Sequence, residues 1–252
     1  MAQYINGRIE GKVGDKTYYT KNGTTFVRAS RNDKKSKKRT SEQFKQMMNF
    51  QNRNQLWRVL SRTEKVYFEG DKSSPQRQFI SVNNNLPHVY LPKGMNSIGT
   101  ALLQPGMIVC DGPLSSFDCH LGEFQGEPAL LTTLAEADAQ TGQLLLYVFQ
   151  QIEIVHLPPS IKTKVIDISQ PTDEVKVMFC DGFLILTGAM FADDMSGFAL
   201  AHIVNGHASR QTLVTRCTYY EQYTTEEALM KAAKSYGRVD ANIDFWTITF
   251  KK

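Results

Sequence analysis

The chain has 252 residues, 41% hydrophobic and 21% charged, a balance typical of a folded globular protein and unlike that of a disordered or collagen-like one. Its longest apolar run, Leu144 to Phe149, is six residues, too short for a membrane-spanning helix. The net charge of +4 hides an asymmetry: residues 1–70 hold 16 Lys/Arg against 6 Asp/Glu, and residues 71–252 hold 13 against 19. A chain so polarised is expected to dock its basic end on an acidic partner or to associate head to tail.

The N-terminal stretch, MAQYINGRIEGK, lacks the apolar core of a secretory signal, so synthesis in the cytoplasm is expected, with later incorporation into a particle left open. Tyr18-Tyr19-Thr20 and Thr24-Thr25-Phe26-Val27 are β-formers around Lys21-Asn22-Gly23. Asn-Gly supplies the two positive-φ residues of a type I′ turn, so a hairpin is predicted there. Such a hairpin is marginal alone and must dock on something. The residues after it, Arg28, Arg31, Lys34, Lys35, Lys37, Lys38 and Arg39, face one acid, Asp33. Their mutual repulsion predicts an exposed, extended connector that meets either nucleic acid or a protein partner.

Thr40 and Gln43 have capping-box spacing and predict a helix start, with Phe44, Met47, Met48, Leu56, Trp57 and Leu60 as its apolar face. The Asn/Gln-rich stretch from Asn49 to Gln55 predicts a break within it. Pro75 suits the first position of a second helix, over Gln76 to Asn84. From His88 the pattern turns to β: strands are predicted at His88–Pro92, Met107–Cys110 and Leu144–His156, with a turn-rich insertion at Ala135–Ala139. Further strands follow at Val175–Phe179, Phe183–Thr187, Phe198–Val204 and Gln211–Thr218, punctuated by Asp181-Gly182, Ser196-Gly197 and Asn205-Gly206. Thr224 and Glu227 cap a helix reaching Tyr236, and Ile243–Phe250 alternates as a closing strand. The reading is a β-rich α+β fold: an N-terminal hairpin with helices, then one or two antiparallel β-sandwich-like modules. The expected divisions are a basic unit at 1–90, a β-rich module at 91–160 and another at 161–252 with one helix at 224–236.

Chemistry-bearing patterns are sparse. Asp193-Asp194 could hold a cation, but beside Ser196-Gly197 it also reads as turn chemistry. Cys119 and His120 are adjacent on a strand and so point to opposite faces, poorly aimed as nucleophile and base. Cys110, Cys119, Cys180 and Cys217 have no metal-ligand spacing and read as reduced thiols. His88, His120, His156, His202 and His207 form no i, i+4 pair, and Gly11-x-x-Gly14 lacks the lysine and hydroxyl of a phosphate loop. Tyr219, Tyr220 and Tyr223 are expected to pack on the helix that follows. No catalytic residue, cofactor, metal or small-molecule substrate is assigned.

Gly11, Lys12, Val13, Gly14, Gly23, Val27, Arg28, Gln43 and Phe50 follow a pattern that resembles an uncharacterised Bacteroidota protein family, gut species included. That family opens with a Gly-Lys-Val-Gly hairpin and a basic linker before a Gln- and Phe-bearing helix. The linker here departs from it, with Lys and Ser in place of prolines, and the match covers about the first fifth of the chain. The resemblance implies a β-rich C-terminal portion and brings no catalytic residues. A non-enzymatic structural or interaction protein, a component of a phage or phage-like particle, is the expected function. The alternative is a nucleic-acid-binding protein using residues 28–39.

Overall fold

The computed structural model describes residues 3–5, 8–13, 16–29, 40–63, 65–70, 74–91, 101–153 and 159–235. Contacts divide the chain into two compact units, Met1–Thr40 and Ser41–Lys252.

The first unit is an antiparallel meander of β1 (Gln3–Ile5), β2 (Arg8–Val13), β3 (Lys16–Lys21) and β4 (Thr24–Ala29), paired in that order. The expected hairpin is its second half. Asn22 and Gly23 take φ of 51° and 79°, and Lys21 pairs with Thr24 across a two-residue turn. The predicted hairpin is thus widened by two further strands on the β3 side. The basic positions Arg31 to Arg39 lie outside the described residues.

The second unit begins with α1 (Ser41–Leu60), a 20-residue helix without the expected break. Its inward face explains why. Asn49 and Asn52 sit in register with Leu56, Val59 and Leu60, all buried, so amides share the face that apolar residues would ordinarily fill. Each amide bonds a neighbouring segment rather than its own helix. Asn49 Oδ1 accepts from Val89 N–H (3.0 Å), and Asn52 bonds Leu102 through both N–H and carbonyl (2.9 and 3.1 Å). Arg53, also buried, donates to the Asn84 side chain (2.7 Å).

After α2 (Pro75–Val82), with Pro75 in its first turn as predicted, Asn83 ends the helix. Its side chain accepts from Ile108 N–H (2.7 Å) and donates to the Ile108 and Phe79 carbonyls (3.0 Å each). The predicted strand at 88–92 is not one over its described part. Val89, Tyr90 and Leu91 are buried in an extended segment whose donors go to Asn49 and, from Tyr90, to the Tyr223 carbonyl (2.6 Å). Backbone groups this deep need partners, and side-chain amides supply them where a neighbouring strand is lacking.

Next come β5 (Ile108–Cys110), β6 (Cys119–Phe124), β7 (Glu127–Ala135), the short α3 (Glu136–Ala139) in the expected irregular stretch, and β8 (Gln143–Ile152). They are followed by β9 (Ser160–Asp167), β10 (Lys176–Cys180), β11 (Phe183–Thr187) and β12 (Ser196–Val204). The short pieces β13 (His207–Ala208), β14 (Gln211–Thr212) and β15 (Val214–Thr215) precede α4 (Glu226–Ser235). The predicted strand over Gln211–Thr218 is therefore broken. Leu213 N–H donates to the Met107 carbonyl (2.7 Å), and the flanking halves pair with β5 and β12 respectively. The predicted cap of α4 shifts by one residue, because Thr225 rather than Thr224 receives the Ala228 N–H (3.1 Å). The strand expected at 243–250 lies outside the described residues, as do Tyr236 and Pro92.

Two sheets stack. One runs β10-β11-β7-β6; the other runs β13-β12-β8-β9, with β15 also on β12. Alternation on β8 serves both sides at once. Leu144 and Leu146 join Leu130, Leu184, Leu186, Phe191 and Phe198 between the sheets. Leu145, Tyr147 and Phe149 join Met48, Leu56, Leu60 and Phe79 from α1 and α2. Strands from 119–135 and 176–187 build the first sheet, and strands from 143–167 and 196–204 build the second. A cut near 160 would part strands of shared sheets and one near 90 a shared core, and contacts group the chain as Met1–Thr40 and Ser41–Lys252. This is one sandwich with helices on an outer face, a β-rich α+β fold.

Candidate interaction surfaces

The places singled out for chemistry are occupied by structural hydrogen bonds. Asp193 accepts from Met195 N–H (2.9 Å) and Ser196 Oγ (2.6 Å), an Asx turn between the 3-10 turn at 189–192 and β12. Cys119 is half-buried while His120 is exposed, as their adjacency on β6 requires. His202 Nε2 meets the Thr141 carbonyl (2.7 Å), and His207 Nδ1 meets Glu69 (2.6 Å), so the two histidines serve different loops. Burial pushes the Cys110 thiol up to about 12, that of Cys119 to about 12 and that of Cys217 to about 11, the opposite of an activated nucleophile. Among the described residues, no group of three or more His, Cys, Asp or Glu is placed to hold a metal. No described helix is long and apolar enough to cross a membrane. Tyr219 and Tyr223 are buried with their hydroxyls 3.3 Å apart, a packing role as expected.

Three cations, Arg62, Lys65 and Lys162, line an open groove of about 570 Å³ beside the end of α1. Two of them follow that helix's C-terminus, where its carbonyl ends favour positive charge. The groove has a structural explanation.

Two surfaces do not. One is the outer edge of the first sheet, where β10 has a neighbour on one side only among the described residues. The β10–β11 hairpin turns at Asp181-Gly182, with φ of 52° and 79°. Val177 and Phe179 pair with Leu186 and Leu184, so they share the face of two core leucines. Both remain 39% exposed, and Phe183 beside the turn is 45% exposed. Sequence reasoning placed these strands correctly without identifying the edge, because strand order is a tertiary property.

The other surface is on the N-terminal sheet. Register places Thr17, Tyr19 and Lys21 of β3 directly opposite Arg28, Phe26 and Thr24 of β4, all on one face. The Tyr19 and Phe26 rings stack at 5.5 Å with 19° between their planes, and both are exposed. Lys21 and Arg28 are exposed beside them. Of the candidate partner-binding residues, Arg28 alone falls within the described set. Arg31, Lys34, Lys35, Lys37, Lys38 and Arg39 do not. The aromatic pair went unnoticed in the sequence, although a two-residue turn after Lys21 fixes Tyr19 opposite Phe26.

No family model, curated protein or solved structure matches this chain.

Proposed function

We propose that this chain is a non-enzymatic structural or interaction protein that works by contact with further chains, as a component of a phage or phage-like particle. The edge of β10, which has a neighbour on one side only among the described residues, carries the proposal. Free strand edges present unpaired N–H and C=O groups, and soluble proteins usually blunt them with charge or proline. Here the edge strand bears exposed Val177 and Phe179 beside a single charge, Lys176. Antiparallel pairing of β10 with its counterpart in a second copy, centred on Met178, sets Val177 of one chain across from Phe179 of the other. An isologous contact of this kind repeats each apolar pair twice and extends the sheet across two subunits. The opposed charge of the two units, 11 Lys/Arg to 3 Asp/Glu in residues 1–40 and 18 to 22 in residues 41–252, supports association of more than one kind. The resemblance to the Bacteroidota family belongs to the same proposal and lends it no activity.

Light scattering after size exclusion, with negative-stain microscopy of the peak fractions, tests it. Oligomers, or recovery of the chain in a particle fraction, are expected. A monomer at every concentration, absent from any particle fraction, contradicts it.

A further inference from the structure

We infer that the face of the N-terminal sheet carrying Tyr19 and Phe26 binds single-stranded nucleic acid, the bases stacking on the two rings and the phosphates meeting Lys21 and Arg28. The inference concerns a different surface from the β10 edge and stands without it.

The geometry comes from the register of β3 and β4. Tyr19 and Phe26 are cross-strand partners, their rings nearly parallel and exposed by 45% and 43%. Two positions from each ring along its own strand sits a cation on the same face: Lys21 beyond Tyr19 and Arg28 beyond Phe26. The strand rise puts each about 7 Å from its ring, Cα to Cα. The cations lie at opposite ends of the pair, so a strand crossing the rings diagonally meets positive charge on entering and leaving. Thr17 and Thr24 complete its β3–β4 part with hydroxyl donors, and none of these six positions is acidic.

Bases must be unpaired to lie on such rings, which selects single strands over duplex. Stacking tolerates any base, so little sequence preference is expected. Charge argues for a polyanion over an apolar protein partner: residues 1–40 carry 11 Lys/Arg and 3 Asp/Glu, a net +8. Six of those cations, Arg31, Lys34, Lys35, Lys37, Lys38 and Arg39, follow β4 directly in the sequence.

Fluorescence anisotropy of labelled oligothymidine with the full-length chain tests the inference, beside a duplex of equal length and poly-glutamate as an acidic polypeptide. Oligothymidine is expected to bind more tightly than either, with affinity falling as salt rises. Tyr19→Val with Phe26→Val keeps β-forming residues but removes both rings. It is expected to weaken binding at least about tenfold while leaving the salt slope nearly unchanged. Lys21→Ser with Arg28→Ser is expected to lower the salt slope. Phe26→Trp retains a ring and covers the case in which the valine variant misfolds: it is expected to bind at least as tightly as the parent, with tryptophan emission quenched by oligothymidine. The inference is overturned by absence of binding at low salt, by equal affinity for duplex, by binding that survives ring removal, or by a Phe26→Trp variant whose emission is not quenched. Ring-dependent binding of poly-glutamate at the oligothymidine affinity overturns it in favour of an acidic protein partner.

Discussion

Asn52 holds Leu102 by both of its backbone polar groups: its Oδ1 accepts the Leu102 N–H at 2.9 Å, and its Nδ2 donates to the Leu102 carbonyl at 3.1 Å. Gln151 of β8 grips the same segment, accepting from Leu103 N–H (2.7 Å) and donating to the Ala101 carbonyl (3.1 Å). Residues 101–104 are buried and belong to no strand. Two side-chain amides do for them what neighbouring strands do for a sheet, one from the helix layer and one from the central sheet.

Replacing Asn52 with Leu keeps the volume but strands a buried N–H and carbonyl. Unpaired buried groups cost about 1–3 kcal/mol each, so a loss of at least about 2 kcal/mol is expected. Asn54, one turn-face away, bonds the Phe50 carbonyl and Gln76 at the surface. Its replacement by Ala is expected to cost less than about 1 kcal/mol. Urea unfolding of the two variants, compared at constant m-value, checks the contrast.

Glycines make a second contrast. Gly142 has φ of 74°, and a Cβ there would run into the Ile203 carbonyl oxygen. Gly126 has φ of 81° but open space around it. Gly126→Ala is expected to cost about 1–2 kcal/mol for the left-handed backbone alone, and Gly142→Ala clearly more, because backbone must shift as well. Thermal midpoints of both variants give the order.

Burial raises the Cys110 and Cys217 thiols from an ordinary 9.0 to about 12 and about 11. Folded chains therefore keep these protons after unfolded chains have released theirs. Their contribution is intact below about pH 9 and is lost as pH rises from there, at up to about 1.4 kcal/mol per pH unit for each thiol. Chemical denaturation between pH 8 and pH 10.5 is expected to show stability falling with a slope that Cys110→Ala flattens. A thiol reagent at pH 8 is expected to modify half-exposed Cys180 before Cys110 and Cys217, which react on unfolding.

Turn chemistry was the most legible part of the fold. Asn22-Gly23, Asp181-Gly182 and Asn205-Gly206 all adopt the paired positive φ that their composition demands, whereas Ser196-Gly197, also expected between strands, opens β12. Gln125-Gly126 does the same at 53° and 81°, and with Gln in place of Asn or Asp the β6–β7 hairpin gave no such signal. Inside α1 the reverse held: Asn49 and Asn52 look like helix-weakening surface residues until their partners, 40 and 50 positions away, are known. The boundaries at 90 and 160 were read from changes of pattern along the chain, whereas the sheets interleave strands from both sides of 160. Neither candidate surface was legible as such. A hydrophobic strand residue reads as core, and Phe179 is exposed where β10 ends its sheet among the described residues.

Sedimentation velocity over a concentration series tests the central claim most directly, on the parent chain and on Val177→Lys with Phe179→Lys. These positions are partly exposed, so the variant is expected to stay folded, with the parent's far-ultraviolet circular dichroism. The account predicts a concentration-dependent dimer or larger species for the parent and a monomer for the variant under the same conditions. A parent chain that sediments as a monomer throughout, or a variant that associates as strongly as the parent, would contradict it.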